Sequence, residues 1–296
     1  MQSQMSGRLS VIDLVRQQDW LDRIGDPVQE SVSRFFRSSA VLRRLKDCLN
    51  GVWLAHPLHP AITDVPVGAW TAALAFDAAE SATGQDLGAC SNAAIGLGLA
   101  AGLGAAASGL ADWSDTYGEE RRLGVAHALC NVAATVLFAG SLAQRLSGRR
   151  SDGRALAALG YGAALLGAYL GGDLVFRQGT NVNRTAWFEA PKQFTAAMNE
   201  ADLPEGQPKR AQAGRATVVL VRQNGQIYAL CETCAHAGGP LAKGRLEDGL
   251  INCPWHGSQY RLDTGKVVHG PSTYDQPCLE VRVREGVIEV RRAQEA

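Results

Sequence analysis

The sequence predicts a multidomain protein in which an all-α bundle of four transmembrane helices is followed by a small all-β domain. Residues 61–176 are dominated by Ala, Gly and Leu, and their charges are confined to short breaks between apolar segments. From about residue 201 the pattern changes to short strand-like runs separated by turn signals, which is typical of an antiparallel sheet. A chain of 296 residues is long enough for two such domains.

The first 51 residues, 1–51, are predicted to form an amphipathic helical segment. The apolar Val28 and Phe35 occur close to the basic Arg34 and Arg37. A basic amphipathic helix can lie on a membrane surface. A solvated helix packed against the rest of the protein explains the pattern equally well, so both alternatives stay open.

The membrane domain is assigned to residues 52–182 and contains four apolar segments. Two of them, residues 88–111 and 123–143, reach the roughly 20 residues that cross the hydrocarbon core of a bilayer. Residues 155–172 are uncharged but shorter, and residues 61–79 are the weakest segment because they contain two Asp. Gly and Ala contribute little burial in water but allow close helix packing in lipid, which favours membrane helices over a soluble bundle.

Four spans place the two ends of the domain, and hence the β domain, on one side of the membrane. More basic residues fall on that side than on the other, which predicts a cytoplasmic location for the β domain under the positive-inside rule. The basic loop of residues 144–154 lies on the other side and argues for the reverse orientation.

Three histidines fall near the same end of the predicted bundle. His56 and His59 belong to the motif HPLHP, and His127 begins the third apolar segment. Ionisable groups in or near a membrane span suggest a functional site. Histidines from different helices can ligate haem or another metal, or bind a quinone headgroup, whereas interhelical hydrogen bonding and helix capping are the structural alternative. We treat His56, His59 and His127 as candidates for a second site.

The helical half resembles an uncharacterised family of predicted four-helix membrane domains. The resemblance is carried by HPLHPAITDVPVGAW, GLADW, the isolated His127 and GGDLVFRQG, over roughly residues 52–182. It implies a membrane location and no settled chemistry.

The β domain is assigned to residues 201–296 and is joined to the helical half by a linker, residues 183–200. Strand-like runs at residues 215–222 and 226–231 flank the tripeptide QNG, which is a hairpin signal. The turn sequences EDG, DTG and REG separate later runs, so we expect further short antiparallel strands.

Two Cys–His pairs lie in the Gly- and Pro-rich loops of this domain, as Cys234-x-His236 and Cys253-x-x-His256. Such a set can form a tetrahedral zinc site. It can also hold a Rieske centre, in which two thiolates bind one iron and two imidazoles bind the other. The one-residue gap of the first pair differs from the spacing of zinc-finger cysteines and favours the iron–sulfur alternative.

The two loop motifs, CAHAGGPL and CPWHGSQY, resemble the Rieske [2Fe-2S] ferredoxin family over roughly residues 201–292. The resemblance implies that Cys234 and Cys253 bind one iron and that His236 and His256 bind the other. It also implies a set of residues that surround the cluster, which comprises Gly257 and Ser258 near a bridging sulfide, Tyr260 near the Cys234 sulfur, and Pro271 in a covering segment.

Two departures from respiratory Rieske proteins affect the expected properties. Gly239 and Trp255 occupy the positions where those proteins carry a disulfide, so we expect that bridge to be absent. Ser258 and Tyr260 resemble the pair whose hydrogen bonds raise the potential in respiratory members, because such bonds stabilise the reduced cluster. We expect a potential between those of ferredoxins and respiratory proteins.

The remaining cysteines are expected to be structural. Seven cysteines, an odd and scattered set, do not resemble a disulfide framework, and a reducing compartment is expected for the soluble part. Cys231 could pair with Cys234 as a CxxC redox motif, but a ligand thiolate is unavailable for disulfide chemistry. We expect Cys231 to pack at the end of a strand.

These features predict a membrane-bound Rieske protein that carries single electrons between its cluster and a partner, either a redox protein or a quinone. An oxygenase needs a second iron site, commonly two His and a carboxylate, and the remaining histidines do not supply one in a soluble domain. Electron transfer is therefore favoured over a self-contained enzyme. A quinol- or haem-linked oxidoreductase, with a second site at the Rieske-side end of the bundle, stays open. Membrane lipid is an expected partner, and the balance of 29 basic and 29 acidic residues gives no support for nucleic acid.

Overall fold

The computed structural model describes residues 11–293 and divides into two compact units. The helical unit contains the described part of residues 1–38 together with Leu58–Thr180, and the β unit contains Ser39–Pro57 and the described part of residues 181–296. The predicted amphipathic segment is therefore divided between the two units. Residues 1–10 of that segment lie outside the described residues.

Seven α-helices occur in the described residues, rather than the four expected for the bundle alone. Three of them belong to the N-terminal segment: α1 (Val11–Arg16), α2 (Trp20–Arg37) and α3 (Ala40–Asn50). The other four are the long helices α4 (Leu58–Thr83), α5 (Gly88–Trp113), α6 (Gly118–Leu146) and α7 (Arg150–Asp173). Short connections at Gly84 and Gly148, both with positive φ, join α4 to α5 and α6 to α7 as two helical hairpins.

Three helices in the described chain are long and apolar enough to cross a membrane: Gly88–Trp113, Gly118–Leu146 and Arg150–Gln178. The last of these continues from α7 through a π-helical turn, Leu174–Gln178. The expected fourth span, α4, is 26 residues long but is not among them. Its Asp and Glu residues lower its hydropathy, in agreement with the expectation that the first apolar segment is the weakest of the four.

The long helices direct their large apolar side chains outwards. Leu103, Val136 and Leu159 are between 64% and 68% exposed. The interior contains small polar residues such as Ser91 and Ser141, both fully buried. Water does not favour this distribution, whereas lipid solvates the outer Leu and Val and small inner residues let the helices pack closely.

The β unit contains ten strands in two antiparallel sheets. The larger sheet has the order β1 (Thr195–Asn199), β10 (Val287–Arg292), β9 (Cys278–Arg284), β4 (Gln226–Cys231), β3 (Ala216–Gln223) and β2 (Lys209–Ala213). The smaller sheet has the order β5 (Arg245–Glu247), β6 (Leu250–Asn252), β7 (Gln259–Arg261) and β8 (Val267–His269).

The QNG hairpin is confirmed by the register of β3 and β4, where Gln223 pairs with Gln226. Asn224 and Gly225 both have positive φ, as a two-residue hairpin turn requires. β1 lies within residues 183–200, the segment assigned to the linker. It pairs with β10, almost a hundred positions later in the chain, and that pairing leaves no local sequence signal.

Candidate metal centre

Two loops of the β unit carry the Cys–His pairs, and each loop closes on its own cysteine. In the first ligand loop, residues 232–240, the amide of Gly238 donates to the carbonyl of Cys234 at 2.9 Å. In the second ligand loop, residues 253–258, the amide of Gly257 donates to the carbonyl of Cys253 at 3.1 Å. Both glycines have φ near +80°, which favours glycine over other residues. The two loops therefore have the same local geometry.

The two thiols lie together at the inner side of the site. Cys234 and Cys253 are buried, and their sulfur atoms are hydrogen-bonded to each other. The hydrogen bond from Cys234 lowers the pKa of Cys253 to about 7. That bond, together with burial, raises the pKa of Cys234 well above its usual value. One thiolate thus forms easily, whereas a second needs a cation, which is the charge balance that bound iron provides.

The two imidazoles lie together at the outer side of the site. The Nδ1 atoms of His236 and His256 are 3.2 Å apart, and their rings are nearly perpendicular. Burial, and then the positive charges of His256, Lys46 and Arg184, lower the pKa of His236 to about 3. Its neutral imidazole is the form that ligates a metal. As whole residues, His236 and His256 are less buried than the two cysteines, although Nε2 of His256 is itself buried.

The four side chains form two pairs rather than one tetrahedral set. In residues 11–293, no three His, Cys, Asp or Glu side chains converge in a way that could hold a single metal ion. A structural zinc site needs four ligands around one ion. A thiol pair and an imidazole pair side by side match the donor set of a [2Fe-2S] cluster with mixed ligands, so the residues present fit that group.

Tyr260 and Ser258 line the inner side of the site. The hydroxyl of Tyr260 lies 3.1 Å from the sulfur of Cys234, and its ring is fully buried. Burial raises the pKa of Tyr260 well above its usual value, so the phenol keeps its proton for donation to sulfur. The hydroxyl oxygen of Ser258 accepts the amide proton of Ser272 at 3.0 Å, which joins the second ligand loop to the covering segment that contains Pro271.

Gly239 and Trp255 lie side by side, at the two positions where a disulfide was considered. A Cβ atom added to Gly239 would lie 2.8 Å from the sulfur of Cys253 and 3.1 Å from the Trp255 ring. A larger residue at position 239 would therefore displace a candidate ligand. Among the described residues all seven cysteines are free.

Cys231 lies behind the site rather than in it. Its sulfur is 3.7 Å from the carbonyl oxygen of Thr233, and burial raises its pKa to about 12. A thiol with this pKa is a poor nucleophile at neutral pH. The position agrees with packing at the end of β4.

Gln276 holds the first ligand loop, although the sequence did not single it out. Its side-chain oxygen accepts the amide proton of Ala235 at 3.0 Å. Its nitrogen donates to the carbonyls of Cys231 and Thr233 at 2.7 and 2.6 Å. Gln276 lies more than 40 positions from these partners, and its local sequence, YDQPC, contains no signal for this role.

Asp47 of α3 holds the covering segment and was also missed. Its carboxylate accepts hydrogen bonds from Nδ1 of His269 at 2.7 Å and from the amide of Gly270 at 2.9 Å. Its partners lie more than 220 positions away, so the spacing of apolar residues along α3 could not identify it. His269 ends β8 and is positioned by this carboxylate.

The second-site candidates are not all together. His59 and His127 lie in the helical unit with their ring centres 6.1 Å apart. His56 belongs to the β unit, where its Nδ1 atom contacts the carbonyl of Pro57 at 2.9 Å. Only the first two therefore form a pair.

Two family models match the chain. The Rieske [2Fe-2S] domain model matches residues 193–280, and the model described as a predicted membrane protein (DUF2231) matches residues 55–184. The order and bounds agree with the division between a helical and a β part. A DUF2231 match and three apolar helices fit a membrane protein.

Curated relatives match the C-terminal part. Ferredoxin CarAc of Metapseudomonas resinovorans is 33% identical over 91 residues, which are 30% of this chain and 85% of that ferredoxin. The 3-phenylpropionate/cinnamic acid dioxygenase ferredoxin subunit of Escherichia coli (strain K12) is 33% identical over 89 residues, 30% of this chain and 83% of the subunit. Human apoptosis-inducing factor 3 is 34% identical over 101 residues, 34% of this chain but only 17% of that protein.

A solved structure, the complex of reduced oxygenase and oxidized ferredoxin in carbazole 1,9a-dioxygenase, matches 35% of this chain and 96% of the compared chain. The identity is 29% and the TM-score is 0.32. The ferredoxin relatives support electron transfer through a [2Fe-2S] cluster. Through its C-terminal domain, and on the 85% coverage of a ferredoxin at 33% identity, the chain belongs to the Rieske [2Fe-2S] family.

Proposed function

We propose that this chain is a membrane-bound Rieske protein that carries single electrons between a redox partner protein and its cluster. The observation that carries the proposal is the pairing of two thiols with two imidazoles in a chain that also contains three apolar helices of membrane-spanning length. A bound [2Fe-2S] cluster supplies one-electron chemistry. The protein contributes ligation, hydrogen bonding and the exclusion of water.

In this proposal Cys234 and Cys253 hold the inner iron, and His236 and His256 hold the outer iron. Because His236 and His256 are less buried than the two cysteines, we place the entry and exit of electrons at the histidine side of the site. Trp255, which follows the second cysteine by two positions, is 54% exposed at the same loop. An exposed aromatic residue at the rim of a site is a common anchor for a protein partner. We therefore place partner docking at this loop.

The domain boundaries and the cytoplasmic side of the Rieske domain are part of the proposal. The basic residues that flank the apolar segments support the cytoplasmic side, and the exposed Leu and Val of the long helices support contact with lipid. Trypsin treatment of inside-out membrane vesicles should remove the Rieske domain, whereas right-side-out vesicles should protect it. The reverse pattern would contradict the cytoplasmic side.

The proposed function is tested with the full chain purified in detergent. Chemical reduction should produce one unpaired electron per chain, and the reduced cluster should pass that electron to an oxidised ferredoxin partner. Reduction by a quinol analogue should be slower than reduction by a protein partner. A faster, saturable reaction with quinol would instead favour the alternative function, a quinol-linked oxidoreductase.

Replacing Tyr260 with Phe should lower the reduction potential. The Tyr260 hydroxyl lies 3.1 Å from the Cys234 sulfur, and its donation stabilises the more negative reduced state. A hydrogen bond worth about 1–1.5 kcal/mol more in the reduced state corresponds to a fall of about 40–65 mV for one electron. An EPR-monitored redox titration measures this shift. Tyr228→Phe, on β4 of the larger sheet, is the control, and an unchanged potential in Tyr260→Phe would contradict the proposed hydrogen bond.

Replacing Asp47 with Ala should loosen the covering segment. The substitution removes two hydrogen bonds to a carboxylate, each worth about 1.5–3 kcal/mol when the charged group is shielded, and less here because Asp47 is partly exposed. We expect a net loss of about 1–3 kcal/mol, seen as a lower temperature of cluster bleaching. Asp47→Asn keeps an acceptor for Gly270 and should lose less. Equal stability of the Ala variant and the unmodified chain would show that α3 does not support this segment.

A further inference from the structure

The helical unit contains an internal repeat of its two hairpins. Asp77 and Arg145 are separated by 68 positions, and the numbers of His59 and His127, and of Trp70 and Phe138, differ by the same amount. The α4–α5 hairpin is thus equivalent to the α6–α7 hairpin. Both hairpins are rich in Ala and Gly, and few other equivalent positions carry the same residue. The repeat is therefore recognised from the contacts between equivalent residues.

Equivalent residues of the two hairpins touch each other at three levels. The rings of His59 and His127 are 6.1 Å apart. The rings of Trp70 and Phe138 are stacked at 4.3 Å. The guanidinium of Arg145 donates to the carboxylate of Asp77 at 2.9 Å. Contact between equivalent residues occurs on a two-fold axis, so a pseudo-two-fold axis runs along the bundle, as in parallel repeats of other membrane proteins.

In each hairpin, the second helix places a glycine against the ring that the first helix contributes to the pseudo-two-fold axis. A Cβ atom at Gly109 would lie 2.7 Å from the ring of His59, and one at Gly171 would lie 3.0 Å from the ring of His127. These two glycines are 62 positions apart, as are Gly98 under Trp70 and Gly160 under Phe138, because the second hairpin is six residues shorter than the first between the ring and its glycine. A Cβ atom at Gly98 would lie 2.3 Å from Trp70, and one at Gly160 would lie 3.1 Å from Phe138. Both histidine rings therefore lie directly on helix backbone.

The same hydrogen bond orients both histidines. Nδ1 of His59 lies 2.8 Å from the carbonyl oxygen of Ala105, and Nδ1 of His127 lies 2.8 Å from that of Gly167. A carbonyl only accepts, so each Nδ1 carries the proton and each Nε2 carries a lone pair. Asn131 Nδ2, 3.1 Å from Nε2 of His127, donates to that lone pair, so a metal bound there would have to displace this amide. A backbone acceptor on Nδ1 is the arrangement that prepares the other nitrogen to bind a metal.

The three axial levels differ in how far the two hairpins have diverged. At one level the equivalent residues form a Trp–Phe stack, and at another they form an Asp–Arg ion pair. At the third level both residues are histidine, and in each hairpin the ring contacts a backbone carbonyl and a glycine. Two like ionisable groups facing each other are unfavourable when both are charged. A ligand shared between two neutral imidazoles accounts for the retained pair.

We propose that His59 and His127 supply the two Nε2 ligands of a transition-metal centre on this axis, and that the metal is the iron of a haem. An ion bound at about 2 Å by imidazoles on opposite sides holds their ring centres roughly 6 Å apart, and the observed distance is 6.1 Å. In residues 11–293 no group of three potential ligands surrounds one point. A bare ion would lack protein ligands there, whereas a haem brings its four equatorial nitrogens and needs only two axial ones.

Small residues line part of the region between the histidines and the Trp70–Phe138 stack. Two turns along from the histidines, the equivalent residues Pro66 and Ala134 are both buried and both small, and Ala164 packs in the same core as Ala134. A haem held here would give the helical unit a one-electron centre of its own, beyond the proposed function of the Rieske domain.

The experiment uses the full chain, produced in cells supplied with a haem precursor and purified in detergent. Absorption spectra, haem extraction and total metal analysis should give about one haem per chain with the low-spin spectrum of two imidazole ligands. His59→Ala and His127→Ala should each lose the haem band. His127→Met should retain haem but change its spectrum, since the thioether replaces one imidazole. His56→Ala, in the β unit, should retain the spectrum of the unmodified chain.

Helix content, measured by circular dichroism in detergent, serves as the folding control, because a variant that keeps its helix content and loses haem has lost only the axial site. One equivalent of a non-haem metal, lost in the same variants, would support a paired-imidazole metal site and overturn the haem assignment. A chain with neither haem nor metal, or with haem unaffected by both Ala variants, would overturn the proposal.

Discussion

We expect Cys234→Ser to abolish the [2Fe-2S] cluster, whereas Cys231→Ser leaves it intact. Cys234 meets the sulfur of Cys253 and the hydroxyl of Tyr260 at the centre of the site. Cys231, three positions earlier, is as buried as Cys234, and its sulfur lies 3.7 Å from the backbone carbonyl of Thr233. The two substitutions have the same chemistry and the same burial, so their difference isolates ligation.

The measurement is iron and sulfide content together with the EPR signal of the reduced full chain. We expect Cys234→Ser to fall to background and Cys231→Ser to keep the signal of the unmodified chain. Cys253→Ser should behave as Cys234→Ser. Loss of the signal in Cys231→Ser together with retention in Cys234→Ser would overturn the ligand assignment.

We expect Arg145→Ala to destabilise the helical unit by about 3–5 kcal/mol, since it leaves the carboxylate of Asp77 buried without its main partner. The Arg145 side chain is 1% exposed and that of Asp77 is 11% exposed. The guanidinium also donates to Ser91 at 3.1 Å and to Ser141 at 3.1 Å. The thermal unfolding of the purified chain in detergent measures the loss.

Arg149→Ala, an exposed arginine four positions further along the chain, is the matched control and should unfold at an unchanged temperature. The internal repeat makes a further outcome testable. Asp77 and Arg145 are equivalent in the two hairpins, so the exchanged pair Asp77→Arg with Arg145→Asp should recover part of the lost stability. A double variant less stable than both single variants would contradict the pseudo-two-fold axis.

The sequence predicted the cluster ligands because their chemistry is local. The motifs CAHAGGPL and CPWHGSQY each contain their cysteine, their histidine and the glycine that closes the loop. The QNG hairpin was predictable for the same reason, since positive φ at Asn224 and Gly225 follows from those two residues. The division into a helical and a β part followed from composition.

The supporting residues were not predictable, because each acts on a segment far away in the chain. Asp47 and Gln276 are single polar residues without a motif, and β1 is recognisable only once β10 lies beside it. The helical repeat escaped notice because Gly and Ala dominate both hairpins. At the axis only the histidine level retains the same residue in both.

The weaker apolar character expected for the first segment has a structural counterpart in α4. α4 carries Asp64, Asp77 and Glu80, and the last two lie at the end where Arg145, Arg150 and Arg154 form ion pairs with them. The carboxylates that make α4 too polar to qualify alone are the ones that hold it in the bundle. The hydropathy of one helix takes no account of ion-pair partners on a neighbouring helix.

The most direct measurement is hyperfine EPR spectroscopy of the reduced full chain, carried out during a redox titration. We predict a one-electron transition and couplings from two histidine nitrogens, both lost when His236 and His256 are replaced by Ser. A cluster without nitrogen couplings, or a chain that contains zinc and no EPR signal on reduction, would contradict the assignment of this site to a Rieske electron carrier.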